Sequence, residues 1–186
     1  MRVTVYDKNP GPGFMQWFLR TSWLLGCVLQ KLLGQVDEYY GAASWRDAID
    51  WIRARPQAIT SLQYWGHGSP ARVWLAGEAM RPQEFRAIWG RLSNDAVVWF
   101  RCCNVFQGVA GHAWAQAMVD DLGCRVAAHT RVVGPLQPGL HSLRPGQTPS
   151  WPLDEKDPET PRWLPDWARP GPNTVTCLRT TVPKGW

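Results

Sequence analysis

Ala96-Val97-Val98-Trp99-Phe100-Arg101-Cys102-Cys103-Asn104 is the stretch that decides the fold. Its first five residues are apolar without a break, the pattern of a strand covered on both faces within a parallel sheet. Upstream, Thr60-Ser61-Leu62-Gln63-Tyr64-Trp65 reads as a second strand running into a turn, Gly66-His67-Gly68-Ser69-Pro70. Between the two, residues 72–75 form a short hairpin arm that returns at Gly77. Pro82 then opens a helix with Phe85, Ile88, Trp89 and Leu92 on one face. Downstream, a helix over 110–122 ends at Gly123, and residues 125–129 form the next strand.

Further out, residues 2–7 alternate as a first strand, broken by Lys8-Asn9-Pro10-Gly11-Pro12-Gly13. A long helix over 14–34 closes at Gly34, and 36–40 is a short strand. Ser44 caps a helix whose apolar face is Trp45, Ala48, Ile49 and Ile52. Strands alternating with helices predict an α/β domain, a three-layer sandwich with a mainly parallel sheet and helices on both faces. The proline-crowded stretch 134–172 is expected to be a loop segment before a final strand over 174–180. Trp151, Trp163 and Trp167 would staple that extension onto a core of about residues 1–132. The 186 residues make one domain.

Composition narrows the function classes. The formal charge is +5, but the basic residues are scattered and form no run, which argues against nucleic-acid binding. Five cysteines at irregular spacing do not make a disulfide framework, and without a CxxC pair a structural zinc site is not expected. The apolar stretch 14–33 carries Gln16, Arg20, Gln30 and Lys31, so it reads as a buried amphipathic helix and not a membrane span. Interfacial membrane contact is the lesser alternative. The first residues lack a signal-peptide pattern, and a reducing, cytoplasmic setting is expected. Thirteen tryptophans exceed the needs of one core, so several should be partly exposed.

Ligands of open α/β sheets bind beyond the carboxyl ends of the strands. His67 follows one strand there, and Cys102-Cys103 end another. If these strands are neighbours, an imidazole can raise the thiolate fraction of a cysteine, with backbone N–H groups receiving the developing oxyanion. Gly68, lacking a side chain, lets its N–H approach a substrate carbonyl.

The order strand–His–Gly, helix, strand–Cys resembles the caspase-like clan of cysteine peptidases, in particular bacterial caspase-like (CHAT-like) modules. The matching residues are Ser61-Leu-Gln-Tyr-Trp-Gly-His67-Gly68-Ser-Pro70 and Val97-Val-Trp-Phe-Arg-Cys-Cys103-Asn-Val105. The stretches Gly108 through Gly111-His-Ala-Trp-Ala115 and Leu122-Gly-Cys-Arg-Val-Ala-Ala128 continue the likeness, over about residues 2–132. The resemblance implies a cysteine endopeptidase that needs no cofactor and acts on a protein or peptide substrate. His67 and Cys103 would be catalytic, and the Gly68 and Cys103 amides would hold the oxyanion. Cys102 is the alternative nucleophile; the family's small residue before the cysteine assigns it the structural place. Arg101, two before Cys103, would then line the pocket for the residue preceding the scissile bond and favour Asp or Glu. The other reading of Arg101 is an internal pair with Asp7 or Asp95.

His129 ends a strand on the same edge and is a candidate for lining the cleft, whereas His112 reads as a helix-end residue. A metal site from His67, His129, Cys102 and Cys103 has no standard ligand spacing and is not expected. A phosphatase loop is excluded because Val109, not arginine, stands six residues after Cys103. Papain-like enzymes place cysteine before histidine, the reverse of the order here. The alternative to a peptidase is a catalytically inactive module serving as a scaffold or recognition domain. An activating partner or a homodimer is left open.

Overall fold

Strand β1 (Arg2–Asp7) is buried from Val3 to Asp7 because its two faces are covered by different layers. Val3 and Val5 enter the main core, while Tyr6 packs with Cys27 and Trp65 on the other side. This computed structural model describes residues 1–155 and 170–186. The main sheet adds β2 (Glu38–Ala42), β3 (Ile59–Trp65), β7 (Leu92–Arg101), β8 (Arg125–His129) and β10 (Leu140–Leu143). Its order is β10-β8-β7-β3-β1-β2, with all neighbours parallel except β10, which runs antiparallel to β8. Parallel neighbours need long crossovers. They are supplied by α1 (Phe14–Leu32), α2 (Trp45–Arg53), the segment holding α3 (Pro82–Phe85), and α4 (Gly108–Leu122).

The helices divide between the faces according to their apolar residues. Trp45, Ala48 and Ile52 of α2, Phe85 of α3, and Trp114, Met118 and Leu122 of α4 join Leu62, Tyr64, Val98 and Phe100 in one core. On the opposite face, α1 contributes Cys27, Trp23 and Leu24 over Tyr6 and Trp65. The rest of that face is closed by the C-terminal segment, where Val175, Val182 and Trp186 pack with Trp99, Ala127 and Leu140.

Several expectations shift. The short second strand lies over Glu38–Ala42 and not 36–40, because Asp37 is engaged by the Arg2 main chain and guanidinium before pairing with β1 begins. The expected turn after Trp65 is instead a strand, β4 (His67–Ser69), in a hairpin with β5 (Arg72–Leu75) and β6 (Glu78–Ala79). The Pro82 helix is one turn followed by a 3-10 segment over Arg86–Arg91, which buries Ile88 but leaves Trp89 exposed. In the proline-rich stretch, β9 (Leu136–Gln137) pairs with β11 (Val175–Thr176), the only part of the expected final strand that forms. β10 lies at the sheet edge between Gly139 and Pro145, where proline can be tolerated. Trp151 does pack into the core, donating to the Phe106 carbonyl, whereas Trp163 and Trp167 lie outside the described residues.

Gly111 marks a contact that helix propensity alone would misjudge. Alanine in a helix is ordinarily favoured over glycine by about 1 kcal/mol. A Cβ at Gly111, however, would stand 2.3 Å from the Phe106 carbonyl carbon and 2.5 Å from its oxygen, backbone atoms of the cysteine loop. Overpacking of this kind costs about 1–3 kcal/mol. Gly111→Ala is therefore expected to lower the urea midpoint of unfolding; an unchanged or raised midpoint would show that the helix can move away from the loop.

Candidate active site

Register brings the two candidate loops together. β3 and β7 are parallel neighbours with Trp65 opposite Arg101, so two residues later each chain has reached His67 and Cys103. Alternation along β7 sorts its end by face. Phe100 and Cys102 belong to the main core, while Arg101 lies against Trp65 and Trp99 on the other side. Cys103 follows with partial exposure, its sulfur 4.0 Å from the Val133 carbonyl oxygen. Cys102 is fully buried, and burial drives its pKa well above the usual thiol range even though the Gly66 N–H hydrogen-bonds the sulfur. Of the two cysteines, Cys103 is the one that reaches the surface.

Gly68 is wedged against this loop. A side chain there would place its Cβ 2.6 Å from the Cys102 Cβ, 2.7 Å from the Cys103 carbonyl oxygen and 2.9 Å from a Val105 methyl. The hairpin tip is tied to the same loop, since the Ala71 N–H donates to the Val105 carbonyl at 3.0 Å. Beyond Cys103, Asn104 takes the left-handed conformation (φ 59°). The Asn104 and Phe106 N–H groups then donate to the carbonyls of Arg131 and His129, pinning the loop to the chain at the end of β8.

His67 is half-buried beside α1. Its Nε2 lies 2.8 Å from Gln16 Oε1, and the Trp23 ring stands edge-on to it with centroids 5.4 Å apart. Burial lowers the His67 pKa, partly opposed by the Asp7 carboxylate. Asp7, at the end of β1, accepts from the Asn9 and Ala76 N–H groups and its own pKa is raised by burial. With Gln16 Oε1 accepting at Nε2, the neutral form of the ring carries its proton there and keeps the Nδ1 lone pair. Gln16 was visible in the sequence only as a polar interruption of an apolar helix; nothing in its spacing pointed to His67.

Arg101 and His129 do not open on a cleft, which corrects the expectation that they line one. Arg101 is 2% exposed. Its Nε and Nη2 donate to Gln137 Oε1, its Nη1 to Gln63 Oε1 and the Arg179 carbonyl, and its Nη2 also to the Thr176 and Cys177 carbonyls. The guanidinium carbon sits 4.6 Å from the Trp65 ring and 4.2 Å from Trp99, and burial lowers the pKa to about 9. These acceptors are neutral, so the pair with Asp7 or Asp95 is replaced by amides and carbonyls. His129 is also fully buried, its Nδ1 bonded to the Pro138 carbonyl at 3.0 Å while Nε2 accepts from Trp99 Nε1 at 3.2 Å. Burial lowers its pKa to about 3. His112, within α4, stands edge-on to Trp151 and is part of the packing around that ring. Among the described residues no three His, Cys, Asp or Glu side chains gather in a way that could hold a metal ion.

Comparison with protein-family models, curated proteins and solved structures finds no match, so the site is read from its own geometry.

Two outcomes follow from the enclosed pair. Arg101→Ala removes six donated hydrogen bonds. Gln137 Oε1 and the Arg179 carbonyl lose the donor that satisfies them, while Gln63 Oε1 and the Thr176 and Cys177 carbonyls keep one from Trp65, Arg179 and Gln30. The expected cost is about 3 kcal/mol in denaturant unfolding. A stability change within about 0.5 kcal/mol would mean that the guanidinium is not enclosed. His129 takes up a proton near pH 6.5 when unfolded but only near pH 3 when folded. Its contribution to stability is therefore full above pH 6.5 and is lost as pH falls toward 3, at up to about 1.4 kcal/mol per pH unit. The stability difference between the wild type and His129→Gln should shrink below pH 6.5; a constant difference would rule out a neutral buried imidazole.

Proposed function

We propose that the protein is a cysteine endopeptidase in which His67 and Cys103 act as a dyad, as the resemblance to caspase-like peptidases implies. The observation that carries this reading is the wedging of Gly68 against the cysteine loop. It supports the reading because Gly68, next in the chain to His67, meets the Cys102-Cys103 loop beyond the carboxyl ends of the adjacent parallel strands β3 and β7. In the proposed reaction His67 takes the Cys103 proton, and the thiolate attacks the scissile carbonyl carbon. The resulting oxyanion is held by the Gly68 and Cys103 amides. Imidazolium gives its proton to the leaving amine as the C–N bond breaks, which leaves a thioester. Water, deprotonated by His67, releases the acid and restores the thiol. Gln16 would serve as a positioning residue, fixing the tautomer that leaves Nδ1 as base.

No preference for Asp or Glu is attached to the proposal, because every nitrogen of Arg101 is already engaged internally. That same enclosure favours the second reading, a module of this fold without peptidase activity, since it removes one of the groups expected to contact substrate.

Residue-mapped alkylation at neutral pH separates the two. For the dyad, labelling is fast at Cys103 and at least about tenfold slower in His67→Ala, because the imidazole is what supplies the thiolate. Slow reaction of all five cysteines, or labelling of Cys103 indifferent to His67, would sink the peptidase reading and leave the inactive module.

A further inference from the structure

Helix α1 turns an apolar stripe outward. Its inner side is anchored by Trp23, Leu24 and Cys27 over Tyr6 and Trp65. Phe14, Phe18, Leu25, Leu29 and Leu32 recur at the spacing of one helix face and are all exposed, Phe14 at 77%, Leu25 at 61% and Leu32 at 78%. Met15 and Trp17 flank the stripe, and Trp17 stacks on Phe14 with centroids 5.9 Å apart. Two hydroxyls could have made this face polar. Instead Thr21 Oγ1 and Ser22 Oγ donate back to the carbonyls of Trp17 and Phe18, so their polarity is spent on the helix itself. A monomer in water has little reason to present so much contiguous apolar surface.

Charge says what covers it. From residue 8 to residue 36 there is no Asp or Glu, whereas Lys8, Arg20 and Lys31 are present and exposed. On the helix, Arg20 and Lys31 share one flank, between the inner-face residue Cys27 and Trp17, and the Lys31 ammonium sits 5.8 Å from the Tyr39 ring. We propose that α1 is a peripheral docking face for an anionic lipid bilayer, with the Phe14–Leu32 stripe in the acyl boundary and Lys8, Arg20 and Lys31 on the headgroups. Aromatic and leucine residues on one side with only cations beside them are what an in-plane interfacial helix requires. Phe14, Trp17 and Phe18 supply aromatic bulk for headgroup depth. A second copy docking helix to helix would bring Lys8, Arg20 and Lys31 of each chain against a segment that itself carries no carboxylate. The helix lies on the membrane and does not cross it: among the described residues none is long and apolar enough to span.

The test is co-sedimentation of the full chain with vesicles of phosphatidylcholine, with and without phosphatidylserine. Binding is expected with phosphatidylserine and should weaken as salt is raised. Leu25→Gln with Leu32→Gln should lower partitioning at least about tenfold. Arg20→Gln with Lys31→Gln should lower it about fivefold for each charge removed. Circular dichroism and melting temperature serve as folding controls for these exposed positions. Failure of the wild type to bind phosphatidylserine vesicles, or binding that neither pair of substitutions weakens, overturns the proposal. So does a wild-type dimer that fails to bind vesicles and that Leu25→Gln with Leu32→Gln converts to monomer, since a second copy would then be the occupant.

Discussion

A guanidinium placed inside a sheet must find acceptors for all its donors or it cannot stay charged there. Arg101 meets this demand by drawing the C-terminal segment across β7. Gln63 and Gln137 supply amide oxygens, and Thr176 at the end of β11, with Cys177 and Arg179 just beyond it, supplies carbonyls. Trp65 and Trp99 sandwich the planar group. Gln30 of α1 donates to the same Cys177 carbonyl, so the helix and the C-terminal segment are joined above the sheet at one point. The face left open by α1 is thereby closed without a helix. Arg125 repeats the device at the other end of the strands, donating to the Pro183 and Trp186 carbonyls.

The same strand sorts its side chains between the two faces of the sheet by alternation alone. Val98, Phe100 and Cys102 point into the core shared with α2, α3 and α4. Trp99 and Arg101 point to the opposite face. Two adjacent cysteines at the strand end thus meet unlike environments, one fully buried with its pKa raised by desolvation and one partly exposed. Gly68 then matters through absence: any larger residue would separate the histidine strand from the cysteine loop.

The tryptophans divide by the same logic. Trp45 and Trp114 fill the main core among Tyr64, Phe85, Phe100 and Phe106, while Trp151 stacks on Phe106 with centroids 4.9 Å apart. Trp65 and Trp99 enclose a cation, and Trp51 carries Arg55 at 4.2 Å. Trp17 and Trp89 remain exposed. A count that looked excessive for one core therefore serves packing, cation binding and surface together.

Local pattern was enough wherever a segment's period and its ends agreed. The apolar run at 96–100, the Ser44 cap, whose hydroxyl accepts from the Asp47 N–H, and Gly123 in the left-handed conformation all follow from short-range physics. So does the pairing of the two strands that lead to His67 and to the cysteines, once strands are assumed to pair as parallel neighbours. What the sequence could not decide was anything that depended on distant partners. Gln16 lies 51 residues from the histidine it bonds, and Arg101 is bound by carbonyls 75 to 78 residues away. Backbone carbonyls are the same in every residue, so no side-chain pattern announces where they will converge. Only the folded chain, by enclosing Arg101 and His129, turned two expected cleft residues into parts of the core.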